Sequence, residues 1–579
     1  MIRIRQLFDT TTREDRNAFA AVLRIYRKVF DYDPEYTDKI AGYFSANTSC
    51  TFEPILLIAE GVKNRVLGFS LIFFFPELNC AYLDHIASSP NRRMRGYGNA
   101  LYEATQKLLE EKGCEDLFLD VPPDDATKLK ESARLAINKK RLAFYEQYDA
   151  RPILNTRYDE VSHKGNAGYL TYLVYDRLKA HKPLGAQRLR QVVKRILQVK
   201  ARMNDDDPKL QEILDSITDD PVQLRAPRYT TPLPARMPQG ITLDVVSSGD
   251  AHQIHHLREK GYVEKPARVT AILKGLEGVK HKKHPLRRFS EKPIHEVHDA
   301  KLIRFIKQAG EQLKPGQLLY PNIFPIRHPE KLPKNWDMRA GYFCMDTFTP
   351  LTNNVYKAAR NAVDAALTGA HLVHKGSPLC YVICRPPGHH AEFKTFGGFC
   401  YFNNAAIAAH YLSASGPVAV LDIDYHHGNG TQDIFYQRSD VLTLSIHGHP
   451  SQAYPYFSGF VEETGEGNGR GFNHNIPIYP GANDEDYLVK LDKAIRYIKR
   501  FKPKYLVISL GLDIMSGDPT GTFLVSKTGI NRIGQRLGSL NIPTLVVQEG
   551  GYSLSNIRHG IAVFFSGMIQ TRSSYTQSI

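Results

Sequence analysis

The chain has 579 residues, and its 75 Lys and Arg outnumber 60 Asp and Glu for a formal charge of +15. That length predicts several domains of ~100 to 200 residues, and the modest basic excess favours solubility without naming a partner. Seven cysteines, an odd number with no Cys-x-x-Cys pair, argue against a disulfide framework. Residues 1–6 lack the apolar core of a signal peptide, and the longest apolar run, near 66–75, is too short to span a bilayer. No membrane partner is expected, and the expected location is cytoplasmic.

In chain order, the first elements are apolar runs at 54–59, 66–75 and 81–87, separated by turn signals at Lys63-Asn64 and Pro76-Glu77. This predicts an antiparallel meander. Residues 93–98 read Arg-Met-Arg-Gly-Tyr-Gly and lead into 99–112, where Leu101, Ala104, Leu108 and Leu109 recur at helical spacing. A strand, a glycine-bearing turn and a helix start together make an anion site, because bare backbone N–H groups and the helix dipole face the ligand.

Residues 83–90, Leu-Asp-His-Ile-Ala-Ser-Ser-Pro, precede that turn, and 143–148, Ala-Phe-Tyr-Glu-Gln-Tyr, follow it. With it they resemble the GNAT acyltransferase superfamily, over about residues 1–178. The resemblance implies a mixed α/β domain that binds acetyl-CoA. Arg93, Arg95, Gly96, Tyr97 and Gly98 would hold the pyrophosphate, and the backbone near Ile86 and Ala87 would pair with the pantetheine arm. Tyr145 is the candidate acid for the departing thiolate, or else a helix residue packing under the cofactor. Asp84 and His85 offer a base, directly or through water, or serve ordinary strand roles.

Residues 179–240 read as a helical connector and a linker. Leu189, Val192, Val193, Ile196 and Leu197 form an apolar stripe among Arg188, Arg190, Lys194, Arg195 and Lys200. The basic face raises a nucleic-acid reading, but the stripe must pack on something and the aromatic residues of a stacking platform are absent. Nucleic acid is therefore not the expected partner. Four prolines within 226–240 mark an extended linker.

The third region, 241–579, carries metal chemistry. Residues 418–425 are apolar and β-branched enough for a buried parallel strand, so Asp422, Asp424 and His426 leave the chain on one side as it ends. A second strand-like run, 505–510, delivers Asp513. Asp424, His426 and Asp513 then form a three-ligand set that leaves a tetrahedral ion a position for water, whose pKa zinc lowers toward ~7. Residues 385–391, Arg-Pro-Pro-Gly-His-His-Ala, supply two imidazoles, His389 and His390, to take the proton.

Together with 397–404, Gly-Gly-Phe-Cys-Tyr-Phe-Asn-Asn, and 549–552, Glu-Gly-Gly-Tyr, these motifs resemble the zinc-dependent histone deacetylase and acetylpolyamine amidohydrolase superfamily over about 241–570. Every polar piece follows a strand-like run, where open α/β sheets place ligands. The resemblance implies a three-layer arginase-like α/β fold with a mainly parallel sheet. It also implies hydrolysis of an acetamide on an amine. In that pattern His389 is the general base, His390 assists proton transfer, and Asp422 orients His389 and helps hold a potassium ion near Ser445. Tyr552 donates to the oxyanion, and Phe399 lines the tunnel beside Gly398.

Asn429 after His427-Gly428 resembles class II deacetylases and acetylpolyamine enzymes. Segments 324–344 and 453–467 are similar to the acetylpolyamine branch, in which a long loop narrows the tunnel and helps form a homodimer. A cationic substrate needs acidic groups at the mouth, and Asp346 is the candidate. The expected activity is removal of acetyl from a small acetylated amine or an acetyl-lysine protein. Its rival makes acetyl transfer or acyl-CoA sensing the main task, with the C-terminal region regulatory or binding acetyl-lysine.

Overall fold

The computed structural model describes residues 3–30, 33–45, 50–61, 64–89, 97–127, 132–160, 170–178, 183–229, 241–257, 259 and 262–576. Contacts divide the chain into two compact units, Met1–Pro232 and Leu233–Ile579.

The first unit is built on a seven-stranded sheet of β1 (Arg3–Leu7), β2 (Glu53–Glu60), β3 (Val66–Phe75), β4 (Cys80–Ser88), β5 (Asp116–Val121), β6 (Arg151–Pro152) and β7 (Tyr172–Arg177), in the order β1-β2-β3-β4-β5-β7-β6. The predicted meander is β2, β3 and β4, paired antiparallel. These strands read as unbroken apolar runs because both sheet faces are covered. In β2, Leu56 and Ile58 join one core while Ile55 and Leu57 join the other.

The helices expected as a connector, Ala186–Lys200 and Pro208–Ser216, pack onto the first of these cores rather than standing apart. Leu189, Val192, Val193, Ile196 and Leu197 lie in it beside Val22 and Phe69. The apolar stripe finds its partner on the sheet, and its basic neighbours pair with carboxylates, Arg188 with Asp116 and Arg195 with Glu77.

The second unit has eight strands, all paired parallel: β8 (Leu243–Ser247), β9 (His281–His284), β10 (Leu379–Ile383), β11 (Val418–Asp422), β12 (Val441–Gly448), β13 (Asn473–Ile478), β14 (Tyr505–Leu510) and β15 (Thr544–Gln548). Their order is β13-β12-β11-β14-β15-β10-β8-β9. Helices on both faces close two hydrophobic cores, one including Leu421, Ile508 and Phe564, the other Val420, Val507 and Ala362. The three central strands β11, β14 and β15 end side by side, and the loops at their carboxyl ends carry Asp424, Asp513 and Tyr552. Among the described residues no helix is long and apolar enough to cross a membrane.

Candidate metal centre and active site

The strand expected over 418–425 stops at Asp422. Ile423 N still donates to Ser509 O of β14 at 3.0 Å, but from Asp424 on the backbone N–H groups are taken by carboxylates instead of a neighbouring strand. Asp424 N donates to Asp422 Oδ1 at 3.0 Å, Tyr425 N to Asp513 Oδ1 at 2.9 Å, and His426 N to Asp424 Oδ1 at 2.9 Å. The chain wraps around its own acids.

That wrapping aims three groups at one point. Gly550 N holds Asp424 Oδ2 at 2.7 Å. Asp424 Oδ1 and Asp513 Oδ2 then lie 3.2 and 3.1 Å from His426 Nδ1. One ligand atom from each of Asp424, His426 and Asp513 falls within 4.8 Å of the other two. A β-carbon at Gly511 would stand 2.0 Å from Asp424 Oδ2, and one at Gly550 would stand 2.5 Å from both Asp424 and Asp513, so the cradle requires glycine there. Burial, then the charge of Asp424, pushes Asp513 up to about 7. Burial disfavours charge on His426, yet its bonds and attraction to the two carboxylates outweigh this and raise it to about 9. Two converging buried acids with an imidazole fit a divalent cation in donor type and arrangement.

The paired histidines differ in their partners. His389 Nδ1 meets Asp422 Oδ2 at 2.9 Å, and its Nε2 lies 3.8 Å from Asp424 Oδ1. Against the cost of burial, Asp422 and then Asp424 raise His389 to about 10, and a cation bound to Asp424 reduces the second contribution. His390 Nδ1 meets an amide oxygen, Asn429 Oδ1, at 2.7 Å. Burial and the neighbouring His389 push His390 well down.

Tyr552 is 6% exposed and follows the turn at Gly550 and Gly551. Asp518 Oδ2 accepts from Tyr552 N at 2.7 Å and Ser553 N at 3.0 Å. The Arg268 guanidinium lies 4.8 Å from the ring centroid while bonding to Gly551 O, Glu549 O and Glu264. Phe399 stands edge-on to Tyr552 at 5.9 Å and to Tyr262 at 5.2 Å. Gly398 has φ +56, and a β-carbon there would lie 2.2 Å from His390 Cδ2.

Asp346 has a different task from the expected substrate contact. Its Oδ1 accepts from Phe348 N and Thr349 N, and its Oδ2 from Thr349 Oγ1, Gly398 N and Tyr454 OH, at 2.6 to 3.0 Å. With both oxygens engaged, it braces the wall carrying Gly398 and Tyr454 instead of facing an ammonium. The potassium expectation finds no support beyond register. Asp422 and Ser445 are cross-strand neighbours, but both Asp422 oxygens serve Asp424 N and His389, and Ser445 Oγ serves His447.

Sequence reasoning assigned no role to Tyr454, whose ring stands 4.8 Å from His390, although its segment was singled out. It also missed Glu264, Arg268 and Asp518, which no local pattern marks. Glu549 and Asn429 were visible within their motifs but unassigned; Glu549 Oε2 holds the N–H groups of Gly388 and His389 at 2.7 and 3.1 Å.

In the first unit, Arg93, Arg95 and Gly96 lie outside the described residues, while Tyr97 and Gly98 open the helix Tyr97–Glu111. β4 pairs with β5 only as far as Leu83↔Leu119, so Ile86 and Ala87 keep partners on β3 and none on β5. Tyr145 packs 5.4 Å from Tyr102 and 5.1 Å from Phe144, and burial pushes its phenol well above the ordinary tyrosine value. Such a phenol is a poor proton donor to a thiolate, which favours the packing role. Asp84 is buried against Lys200 at 3.0 Å, His85 at 2.7 Å and Tyr36 at 2.9 Å.

The histone deacetylase domain family matches residues 262–568, and the GNAT acetyltransferase family matches residues 19–130. Acetylpolyamine amidohydrolase 2 of Pseudomonas aeruginosa is 39% identical over 323 residues, 53% of this chain and 94% of that protein. The acetylpolyamine amidohydrolase of Burkholderia pseudomallei is 41% identical over 285 residues, 48% of this chain and 83% of that protein. Among solved structures, the acetylpolyamine aminohydrolase from Burkholderia pseudomallei aligns with a TM-score of 0.54 at 36% identity, covering 56% of this chain and 99% of that one. The chain therefore belongs to the histone deacetylase family and carries a GNAT-family acetyltransferase domain ahead of its deacetylase domain.

Proposed function

We propose that the C-terminal unit hydrolyses the amide of an N-acetylated amine, an acetylpolyamine or acetyl-lysine, and releases acetate, with Asp424, His426 and Asp513 holding a zinc ion. The observation that carries this is the buried cradle in which two carboxylates and an imidazole converge beside two further imidazoles. A divalent ion held there would supply Lewis acidity, polarising the acetyl carbonyl and making a water more acidic. The rest is the work of the chain. Asp422 fixes His389 through Nδ1, which aims Nε2 at the cradle to take the proton of the attacking water. His390 assists in passing a proton to the departing amine. Tyr552, held by Asp518 and Arg268, donates its hydroxyl hydrogen to the developing oxyanion. Phe399 and Tyr454 wall the approach and exclude water.

The substrates named by the relatives, acetylpolyamines, set the first probes. The full chain should release acetate from acetylated polyamines or an acetyl-lysine peptide, and lose that activity on chelation. A chain that releases none from either, with its metal replete, contradicts the proposal.

For the N-terminal unit we propose acetyl-CoA binding, favoured by the β4 edge left free of β5 at Ile86 and Ala87. Calorimetry with acetyl-CoA tests it. Heat should appear in the wild type and vanish in Gly96→Val/Gly98→Val, while acetate release is unchanged.

A further inference from the structure

His389 and His390 are neighbours whose Nδ1 atoms face chemically different partners. A carboxylate can only accept, so Asp422 leaves His389 no choice of ring proton. An amide can present either its oxygen or its NH2 group, so the Asn429 contact does not by itself fix the tautomer of His390. Something else must decide which end of Asn429 faces the ring.

The far end of Asn429 supplies the answer. Its Nδ2 lies 2.8 Å from Glu392 Oε1 and 3.4 Å from the carbonyl oxygen of His390. Both are acceptors that demand a donor. Glu392 is itself pinned: its Oε2 takes the Thr395 hydroxyl at 2.6 Å, and its backbone N–H donates to Thr395 O at 2.9 Å. With the NH2 group committed there, Asn429 must turn Oδ1 toward His390. His390 Nδ1 then carries the hydrogen, and Nε2 is left with the free lone pair.

We infer that Glu392 is a positioning residue that sets the tautomer of His390 through Asn429, and so decides which ring nitrogen can exchange a proton with substrate. The inference rests on the amide-hydrolysis reading for its kinetic consequence only. It also explains the amide at 429. An aspartate there would satisfy His390 Nδ1 alone, but it would place a second carboxylate 2.8 Å from Glu392 Oε1, where like charges repel. Asn429 and Glu392 therefore work as a pair, and changing one should change what the other is worth.

The test is a double-variant cycle read in two ways, by kinetics and by 15N NMR of histidine-labelled full chain. Glu392→Met keeps the side chain's length and removes the acceptor. It should lower kcat about 10-fold or more with little change in KM or metal content, and shift His390 from Nδ1–H toward a mixture of tautomers. Glu392→Gln, whose amide oxygen can replace the lost acceptor, should restore most of that loss. In the Asn429→Asp background the sign reverses: Glu392→Met removes the repulsion, and the double variant should exceed Asn429→Asp alone. Wild-type kcat and an unchanged His390 ring spectrum in Glu392→Met would overturn the inference, as would a double variant no better than Asn429→Asp. If the wild type releases no acetate from any substrate, the hydrolysis reading fails, and the ring spectrum still decides the role of Glu392.

Discussion

Both units bury acidic side chains, and they neutralise them in opposite ways. In the N-terminal unit three buried acid side chains each meet a strong cation: Asp84 with Lys200 at 3.0 Å, Asp116 with Arg188 at 3.1 Å, Asp124 with Arg225 at 2.8 Å. In the C-terminal unit Asp422, Asp424 and Asp513 crowd one spot, and among the described residues their ion-pair partners are imidazoles alone. A closed pair is a structural brace, since breaking it strands a buried charge. A crowd of acids held in place by backbone N–H groups is charge kept for something that arrives.

The largest test of that contrast removes one member of the crowd. Asp513→Ala should abolish acetate release and lower metal content together, because two ligands no longer hold the ion. Activity and metal content are read on the same sample, and a fully active, metal-replete variant would break the distinction. Next in size, Tyr552→Phe should keep the metal and lower kcat about 10² to 10³-fold, the scale for one lost oxyanion donor. An unchanged kcat would reduce Tyr552 to packing.

On the N-terminal side the effects should be on stability. Leu189 is fully buried where the helix Ala186–Lys200 meets the sheet. Leu189→Ala should cost about 2 to 5 kcal/mol, seen as faster hydrogen exchange in β3 and β4 with acetate release intact. No change in that exchange would return the helix to the role of a detached connector.

The smallest effect belongs to Asp176, a buried acid of this unit held by neutral donors. It accepts from Tyr102 OH at 2.7 Å and Gln106 Nε2 at 2.8 Å, and burial raises it to about 6. Between about pH 4 and 6 the folded form keeps a proton that the unfolded chain has lost. Stability from this group is therefore greatest at the acid end of that window and falls as pH rises, by on the order of 3 kcal/mol. Asp176→Asn can accept the same two bonds without charge. It should flatten the dependence and gain stability at pH 7, read from exchange of the β7 amides; a parallel dependence in wild type and variant would deny the buried ionisation.

The sequence made the strands and the cradle legible because both are written locally. Apolar runs mark β11 and β14, and the acids stand within three residues of their ends. The early end of β11 was not legible, since it depends on Asp513 Oδ1 reaching Tyr425 N from 88 positions away. The same holds for Arg268, which joins the turn before Tyr552 across 283 positions. Asp346 misled for a related reason: its position fitted a substrate contact, and only the fold reveals how many N–H and O–H groups converge on it. The apolar stripe at 189–197 predicted burial correctly but could not name the surface that buries it.

The central claim is that Asp424, His426 and Asp513 hold a catalytic cation, and a metal titration tests it most directly. The full chain is stripped by a chelator, zinc is returned in known amounts, and acetate release and bound metal are measured at each step. The account predicts no release from stripped protein and recovery that rises in proportion to bound zinc, saturating at one equivalent per chain. Stripped protein that releases acetate as fast as the reloaded protein would contradict it.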